Sequence, residues 1–194
     1  MGSWAGRVVV VTGAGRGMGR EHALLCAAEG ARVVVNDVGC DADGRGVDPG
    51  LAAAVAGEIT AAGGTAVANA DDVATMDGAQ RLVDQALDAY GEVHALVNNA
   101  GILRDRMFVN MSEEDWDAVV RGHLKAVFCP TRLLAAYWRD RSKQGDPVKA
   151  SVVSMSSTSG LLGAVGQSNY GAAKAGIASM TVILAEELGR YGVR

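Results

Sequence analysis

Short apolar runs alternate along the chain with longer stretches in which apolar residues recur at helical spacing. The runs, rich in valine, are typical of strands buried on both faces, and they predict strands over 7–12, 31–36, 65–70, 93–98 and 150–155. The stretches between them predict helices over 17–29, 51–62, 76–90 and 168–189, with a further helix capped by Ser112. This alternation predicts the α/β fold class: a doubly wound, Rossmann-like parallel sheet in one domain over residues 1–194.

One polar segment, residues 39–50, separates the second predicted strand from the following helix. Asp41 and Asp43 begin it in the manner of a calcium loop, but Arg45 and Ala52 stand where such a loop needs oxygen ligands. We therefore interpret it as a solvated loop, and we predict no metal site.

The amino-acid composition excludes several classes of protein. The chain has 194 residues, is 49% hydrophobic and carries a net charge of −4, which excludes intrinsic disorder. A sequence pI of about 5.3 supplies no basic footprint for nucleic acid. No apolar run reaches the ~18 residues of a membrane span, and three scattered cysteines indicate reduced thiols. We therefore expect a cytoplasmic protein without nucleic-acid or membrane partners.

The first predicted strand runs into a glycine-rich turn that opens a helix. Gly13, Gly17 and Gly19 have a GxxxGxG spacing, whereas the last glycine of a GxGxxG fingerprint would fall on Met18. Glycines let a backbone approach a pyrophosphate closely, and the helix start offers free N–H groups. The turn predicts a nucleotide-binding loop; a plain glycine-rich turn before a helix is the alternative.

An acidic residue, Asp37, ends the second predicted strand, twenty residues after Gly17. That interval is expected for a carboxylate that accepts hydrogen bonds from an adenosine ribose. Because a carboxylate there would repel a 2′-phosphate, it favours NAD over NADP, although Arg16 could pair with that phosphate and favours the opposite.

Three residues near the end of the chain form a candidate catalytic set. Tyr170 and Lys174 are four residues apart in a predicted helix and share one face. An ammonium stabilises a nearby phenolate, so a phenol beside it can exchange protons near neutral pH. Ser157 follows the fifth strand, and its hydroxyl could hydrogen-bond a substrate oxygen.

Together these motifs resemble the short-chain dehydrogenase/reductase family over essentially the whole chain. The resemblance implies hydride transfer between a nicotinamide and a carbonyl or alcohol carbon, with Tyr170, Ser157 and Lys174 as catalytic residues. It also implies that the cofactor is bound by Gly13, Arg16, Gly17, Met18, Gly19, Asp37, Asp72, Val73, Asn98, Ala100, Gly101, Tyr170 and Lys174.

A narrower likeness concerns the dehydrogenase part of multifunctional β-oxidation enzymes and related bacterial hydroxysteroid dehydrogenases. It is carried by VVVNDVG, NNAGILRDR, HLKAVF and GQSNYGAAKAG. It implies a 3-hydroxyacyl-CoA as substrate, with a hydroxysteroid as the alternative. A protein that binds NAD without catalysis stays open as a third reading.

The chain departs from the family pattern in two places. His123 stands where most members carry an asparagine. The histidine is either part of a proton relay or a helix residue packed in the interior. The chain ends at Arg194, where the family would begin its sixth strand, so we expect a C-terminally shortened domain whose fifth strand exposes an edge. The resemblance further implies a homo-oligomer, a dimer or tetramer, through the two long helices.

Overall fold

Five parallel strands form the centre of the protein in the computed structural model, which describes residues 2–194. In order along the sequence the strands are β1 Val8–Thr12, β2 Arg32–Asn36, β3 Thr65–Asn69, β4 Ala95–Asn98 and β5 Ser151–Ser154. The helices are α1 Gly17–Ala28, α2 Gly50–Ala61, α3 Met76–Tyr90, α4 Glu113–Val120, α5 Ala126–Lys143, α6 Thr158–Leu162 and α7 Ser168–Gly189. A 3₁₀ turn, Phe108–Asn110, precedes α4, and a π-helical turn, Arg121–Lys125, joins α4 to α5.

The valines of β1 alternate between the two faces of the sheet. Val8 and Val10 pack with α3 and α5, whereas Val9 and Val11 pack with α1 and α2. Because helices cover both faces, every position of β1 is buried and the strand is a continuous apolar run. Full burial of one valine side chain contributes about 1.5–3 kcal/mol. The predicted doubly wound parallel sheet is confirmed.

The spatial order of the strands, β3-β2-β1-β4-β5, reverses direction at β1. The chain runs outward from β1 through β2 to β3 and then crosses back to β4 on the other side of β1. Helices leave β1 and β4 toward opposite faces, which opens a crevice at the carboxyl ends of these strands. The segments that follow β1, β2, β4 and β5 therefore meet at one end of the sheet.

Most predicted boundaries lie within two residues of those observed. The predicted helix over 168–189 coincides with α7, whereas β4 begins two residues later than predicted. The predicted cap is confirmed, because the Ser112 hydroxyl accepts a hydrogen bond from the Asp115 amide at 3.1 Å. Short pieces such as α6 and the π-helical turn carry no periodic signal of their own.

The edge of β5 is partly paired. Ala150 and Val193 form a parallel bridge, and the Val152 amide donates to the Arg194 carbonyl at 2.8 Å. Residues 192–194 therefore begin to pair alongside β5, and the side chain of Val153 is half exposed. Among residues 2–194, no helix is both long enough and apolar enough to cross a membrane.

Candidate active site

The glycine-rich turn after β1 has the backbone shape of an anion-binding loop. Gly13 and Gly17 adopt φ values of +62° and +55°, a region that favours glycine. Nothing lies within 4 Å of the position that a Gly17 Cβ would occupy, so this backbone is open to a ligand. The side chain of Arg16, which precedes α1, makes no capping hydrogen bond, and the first amides of α1 stay available.

Gly19 also has a packing role, which the sequence did not indicate. A Cβ at Gly19 would lie 2.1 Å from the Gly13 carbonyl oxygen and 2.4 Å from Nδ2 of Asn99. The same Asn99 amide donates to the carbonyl oxygens of Thr12 and Gly13, at 3.1 and 2.9 Å. Gly19 thus lets α1 pack on the turn, and Asn99 fixes the turn to the end of β4.

Asp37 is held at the end of β2 by two backbone hydrogen bonds. Its carboxylate accepts from the Gly15 amide at 2.8 Å and from the Gly39 amide at 2.7 Å. The residue is 8% exposed and lines a cavity of about 650 Å³. This places a fixed carboxylate beside the glycine-rich turn, at a cavity of the size that small-molecule ligands occupy.

The cavity brings together most of the residues predicted to hold a dinucleotide. Those that line it are Gly13, Arg16, Met18, Asp37, Asp72, Val73, Ala100 and Gly101. Five predicted cofactor residues are not among those that line it: Gly17, Gly19, Asn98, Tyr170 and Lys174. The Asn98 amide instead donates to the hydroxyl of Thr131 at 2.9 Å and to that of Ser154 at 3.3 Å. The segment predicted to be a solvated loop, residues 39–50, is largely exposed, and several of its residues also line this cavity.

A cation from the π-helical turn lies at the Asp72 side of the cavity. One carboxylate oxygen of Asp72 accepts from the Ala74 amide at 2.9 Å, and the other pairs with the guanidinium of Arg121. Arg121 also lines the cavity, and no local sequence pattern marks it. The ion pair connects the segment after β3 to the π-helical turn across the rim.

Lys174 and Tyr170 lie together on α7, as their spacing predicts. The Lys174 Nζ is 5.6 Å from the centroid of the Tyr170 ring, and it donates to the Met155 carbonyl oxygen after β5. Lys174 is buried, and desolvation lowers its pKa from 10.5 to about 8. The site therefore holds a desolvated amine beside a phenol.

Ser157 is brought to the same end of the sheet by the packing of α6 on α7. Its hydroxyl caps α6 by accepting from the Ser159 amide at 3.2 Å. A Cβ at Gly160 would lie 2.6 Å from the Ala175 amide nitrogen, so α6 can approach α7 this closely only with glycine there. The start of α6 therefore lies against the turn of α7 that carries Tyr170 and Lys174.

His123 also packs against the tyrosine. The two rings meet edge to face with centroids 5.1 Å apart, and the imidazole Nε2 lies 2.7 Å from the Ile102 carbonyl oxygen. A Cβ at Gly101 would fall 2.0 Å from the imidazole, so the ring rests on that glycine. The Nδ1 atom is buried without a partner among the described residues.

Burial also sets the charge of His123. Desolvation, with the nearby Lys174 ammonium, lowers the pKa of His123 from 6.5 to about 4. The ring is therefore neutral at pH 7, and its charged form would be costly in this position.

This shift predicts acid sensitivity of the fold. Between about pH 6.5 and 4 the unfolded chain binds a proton at His123 that the folded protein does not, so the free energy of unfolding decreases as pH falls. The full loss is about 3 kcal/mol. Urea unfolding of the protein and of His123→Gln, at pH 8 and at steps down to pH 4, measures it.

The test uses the difference in unfolding free energy between the parent and His123→Gln, because other groups titrate in both proteins and their effects cancel in that difference. We expect this difference to be constant above pH 6.5. Below pH 6.5 the parent should lose stability relative to His123→Gln. Parallel curves down to pH 4 would show that His123 titrates normally.

Comparison with known proteins gives a consistent result. A family model described as "short chain dehydrogenase" matches residues 7–194. The hydroxyacyl-CoA dehydrogenase ChsB1 of Mycobacterium tuberculosis is 49% identical over 191 residues, covering 97% of this chain and 59% of the relative. The mouse peroxisomal multifunctional enzyme type 2 is 47% identical over 182 residues, covering 94% of this chain and 24% of the relative.

A solved structure agrees with the sequence relatives. A short-chain dehydrogenase from Mycobacterium avium superimposes with a TM-score of 0.94 at 55% identity, covering 99% of this chain and 66% of that one. The chain thus spans about three fifths of the Mycobacterium tuberculosis relative and a quarter of the mouse enzyme.

Proposed function

The chain belongs to the short-chain dehydrogenase family, and we propose that it transfers hydride between a nicotinamide cofactor and a secondary alcohol or ketone. The observation that carries this proposal is the Lys174 ammonium, 5.6 Å from the Tyr170 ring, at the same end of the sheet as the glycine-rich turn. A buried amine beside a phenol is suited to proton exchange with an alcohol oxygen.

In this proposal each side chain has a separate task. During oxidation Tyr170, as the phenolate, accepts the proton of the substrate alcohol while the hydride goes to the nicotinamide. During reduction the Tyr170 phenol returns that proton to the substrate oxygen. Lys174 stabilises the phenolate form, and desolvation strengthens that interaction because the local dielectric is low. The Ser157 hydroxyl orients the substrate oxygen toward the phenol.

The cofactor in this proposal is NAD, which supplies the hydride acceptor when bound. The site fits a dinucleotide: the fixed carboxylate of Asp37 lines the cavity, and the glycine-rich turn beside it has an open backbone at Gly17. The residues proposed to hold it are Gly13, Arg16, Gly17, Met18, Gly19, Asp37, Asp72, Val73, Ala100, Gly101, Tyr170 and Lys174. Asn98 supports the site indirectly, through its hydrogen bonds to Thr131 and Ser154.

Cofactor choice is predicted to follow the charge of Asp37. We expect NADH to bind at least ~10-fold more tightly than NADPH, because like charges brought together at a binding site cost several kcal/mol. Asp37→Asn keeps the shape and removes the charge, so the ratio of the two dissociation constants should shrink toward one. Fluorescence titration with both dinucleotides measures it, and an unchanged ratio in Asp37→Asn would remove the proposed role of this carboxylate.

The proposed substrate is a 3-hydroxyacyl-CoA. Support comes from the names of two similar proteins, a hydroxyacyl-CoA dehydrogenase and a peroxisomal multifunctional enzyme. The experiment is an assay of NAD reduction with short- and long-chain 3-hydroxyacyl-CoA and with hydroxysteroids, on this chain and on one extended to the length of its relatives. NADH binding without turnover on any of these substrates would favour a non-catalytic binding protein.

Two further properties belong to the proposal. A homo-oligomer would use the exposed faces of α5 and α7, where Phe128, Val182 and Ile183 are about half exposed or more. A reducing, cytoplasmic location agrees with three free cysteines.

A further inference from the structure

The connection between β2 and α2 is folded against a distant part of the chain. We name residues 38–49 the strap. Its ends are close together, because the Asp48 amide donates to the Val38 carbonyl oxygen at 3.3 Å. Between them it contributes several lining residues to the 650 Å³ cavity, which Gly13, Arg16 and Met18 also line. A dinucleotide in this cavity would therefore contact both the strap and the glycine-rich turn.

The strap is attached to the segment that follows β4. The Leu103 amide donates to the Ala42 carbonyl oxygen at 2.8 Å, and Nε of Arg104 donates to the Asp43 carbonyl oxygen at 2.8 Å. The contact at Gly44 is tight, since a Cβ there would lie 2.7 Å from the Ile102 side chain. The strap therefore crosses the crevice from the end of β2 to the end of β4.

Arg104 is the side chain that connects the strap to the rest of the site. It is long and charged, yet its side chain is only 10% exposed. Besides Asp43, its guanidinium contacts the Glu114 carboxylate at 2.9 Å and the Asp115 carboxylate at 3.7 Å, both on α4. Its fork of donors can satisfy partners in several directions at once, which a lysine ammonium does less well.

The backbone of Arg104 reaches the catalytic helix. Its carbonyl oxygen accepts from the side-chain amide of Asn169 at 3.1 Å, and the same amide donates to the Asp115 carbonyl oxygen at 3.1 Å. Asn169 is fully buried, and its Oδ1 accepts from the Tyr170 amide at 2.8 Å. A displacement of Arg104 would therefore be passed to the residue that precedes the tyrosine.

We propose that Arg104 is a positioning residue that acts on both halves of the site. Its guanidinium holds the strap closed over the cofactor, and its carbonyl oxygen fixes Asn169 and with it the position of Tyr170. The proposal rests on the proposed function for its second half. Its first half, closure over the dinucleotide, depends only on cofactor binding.

The test compares Arg104→Gln with Arg106→Gln. Arg106 is a suitable control because it is two residues away, is 55% exposed and lies 3.8 Å from the same Asp115, yet it forms no hydrogen bond or ion pair with the strap. Stopped-flow fluorescence follows NADH release when excess NAD displaces it. Steady-state assays at saturating cofactor give kcat and KM, and thermal unfolding gives Tm.

We expect Arg104→Gln to release NADH at least ~10-fold faster and to lower kcat by a similar factor, the scale of lost charge-assisted hydrogen bonds. Arg106→Gln should stay within ~2-fold of the parent in NADH release rate and in kcat, with a similar Tm. If Arg104→Gln does not fold, Arg104→Lys replaces it in the test. It should give an intermediate release rate, because one ammonium cannot bind the Asp43 carbonyl oxygen and the carboxylates of α4 at the same time.

NADH release at the parent rate in folded Arg104 variants would overturn the proposal, and so would faster release with an unchanged kcat. Equal effects of Arg106→Gln would also overturn it, since they would reflect charge alone. A parent protein that binds NADH but oxidises no substrate would refute the proposed function. The release rates, measured without substrate, would still decide whether Arg104 closes the strap.

Discussion

Replacing Tyr170 by phenylalanine is expected to lower turnover at least ~100-fold, the scale of a lost general acid/base. The substitution removes one hydroxyl and keeps the ring. The edge-to-face contact with His123 and the packing beside Lys174 therefore remain. The unfolding free energy should change little. NADH affinity should fall far less than turnover, because Tyr170 is only one of many residues proposed to hold the cofactor, so the loss should fall mainly on kcat. Initial rates of NAD reduction measure turnover, and NADH titration of the same preparation measures cofactor affinity.

Tyr90→Phe is the matched control for this prediction. Tyr90 is a half-buried tyrosine at the end of α3, and its hydroxyl makes only a long contact of 3.5 Å to the Val33 carbonyl oxygen. Its loss should leave turnover within ~2-fold of the parent, as expected for a substitution away from special features. Turnover by Tyr170→Phe at the Tyr90→Phe rate would remove Tyr170 from the chemistry.

Replacing Gly19 by alanine is expected to weaken NADH binding ~30-fold, about 2 kcal/mol, within the usual cost of overpacking. The added methyl group would lie 2.1 Å from the Gly13 carbonyl oxygen, and flexible side chains cannot absorb that overlap because the obstacle is backbone. The glycine-rich turn must move away from α1. We also expect Tm to fall by several degrees, since each kcal/mol is worth roughly 2–4 °C in a chain of this size.

Gly57→Ala makes the same chemical change, but it is expected to stabilise the protein. Gly57 lies inside α2, and nothing stands within 4 Å of its added Cβ. Alanine there should raise stability by about 0.5–1 kcal/mol, because glycine loses more conformational freedom in a helix. Calorimetry and NADH titration of both variants separate the effects. If Gly19→Ala behaves like Gly57→Ala, the close packing at the turn does not limit the site.

The two variants also illustrate how far a glycine pattern can be interpreted. The spacing of Gly13, Gly17 and Gly19 predicts a loop and a helix start, and both are present. It does not separate the open backbone at Gly17 from the packing contact at Gly19. Asn99, which creates half of that contact, is eighty residues away in the sequence.

Local patterns determined the elements and their order. A run such as that of β1 is apolar at every position because helices cover both faces, and the four-residue spacing of Tyr170 and Lys174 places both on one side of α7. The same reasoning placed Asp37 at the end of β2. In each case the physical cause acts over a few neighbouring residues, so the sequence by itself carries it.

Contacts between distant segments were decided only by the tertiary structure. The π-helical turn directs His123 onto Gly101, the strap docks on the segment after β4, and Arg104 joins it to α4 and α7. None of these leaves a periodic trace, because each depends on burial and on partners tens of residues away. Desolvation, which lowers the pKa values of Lys174 and His123, likewise exists only once the chain has closed around them.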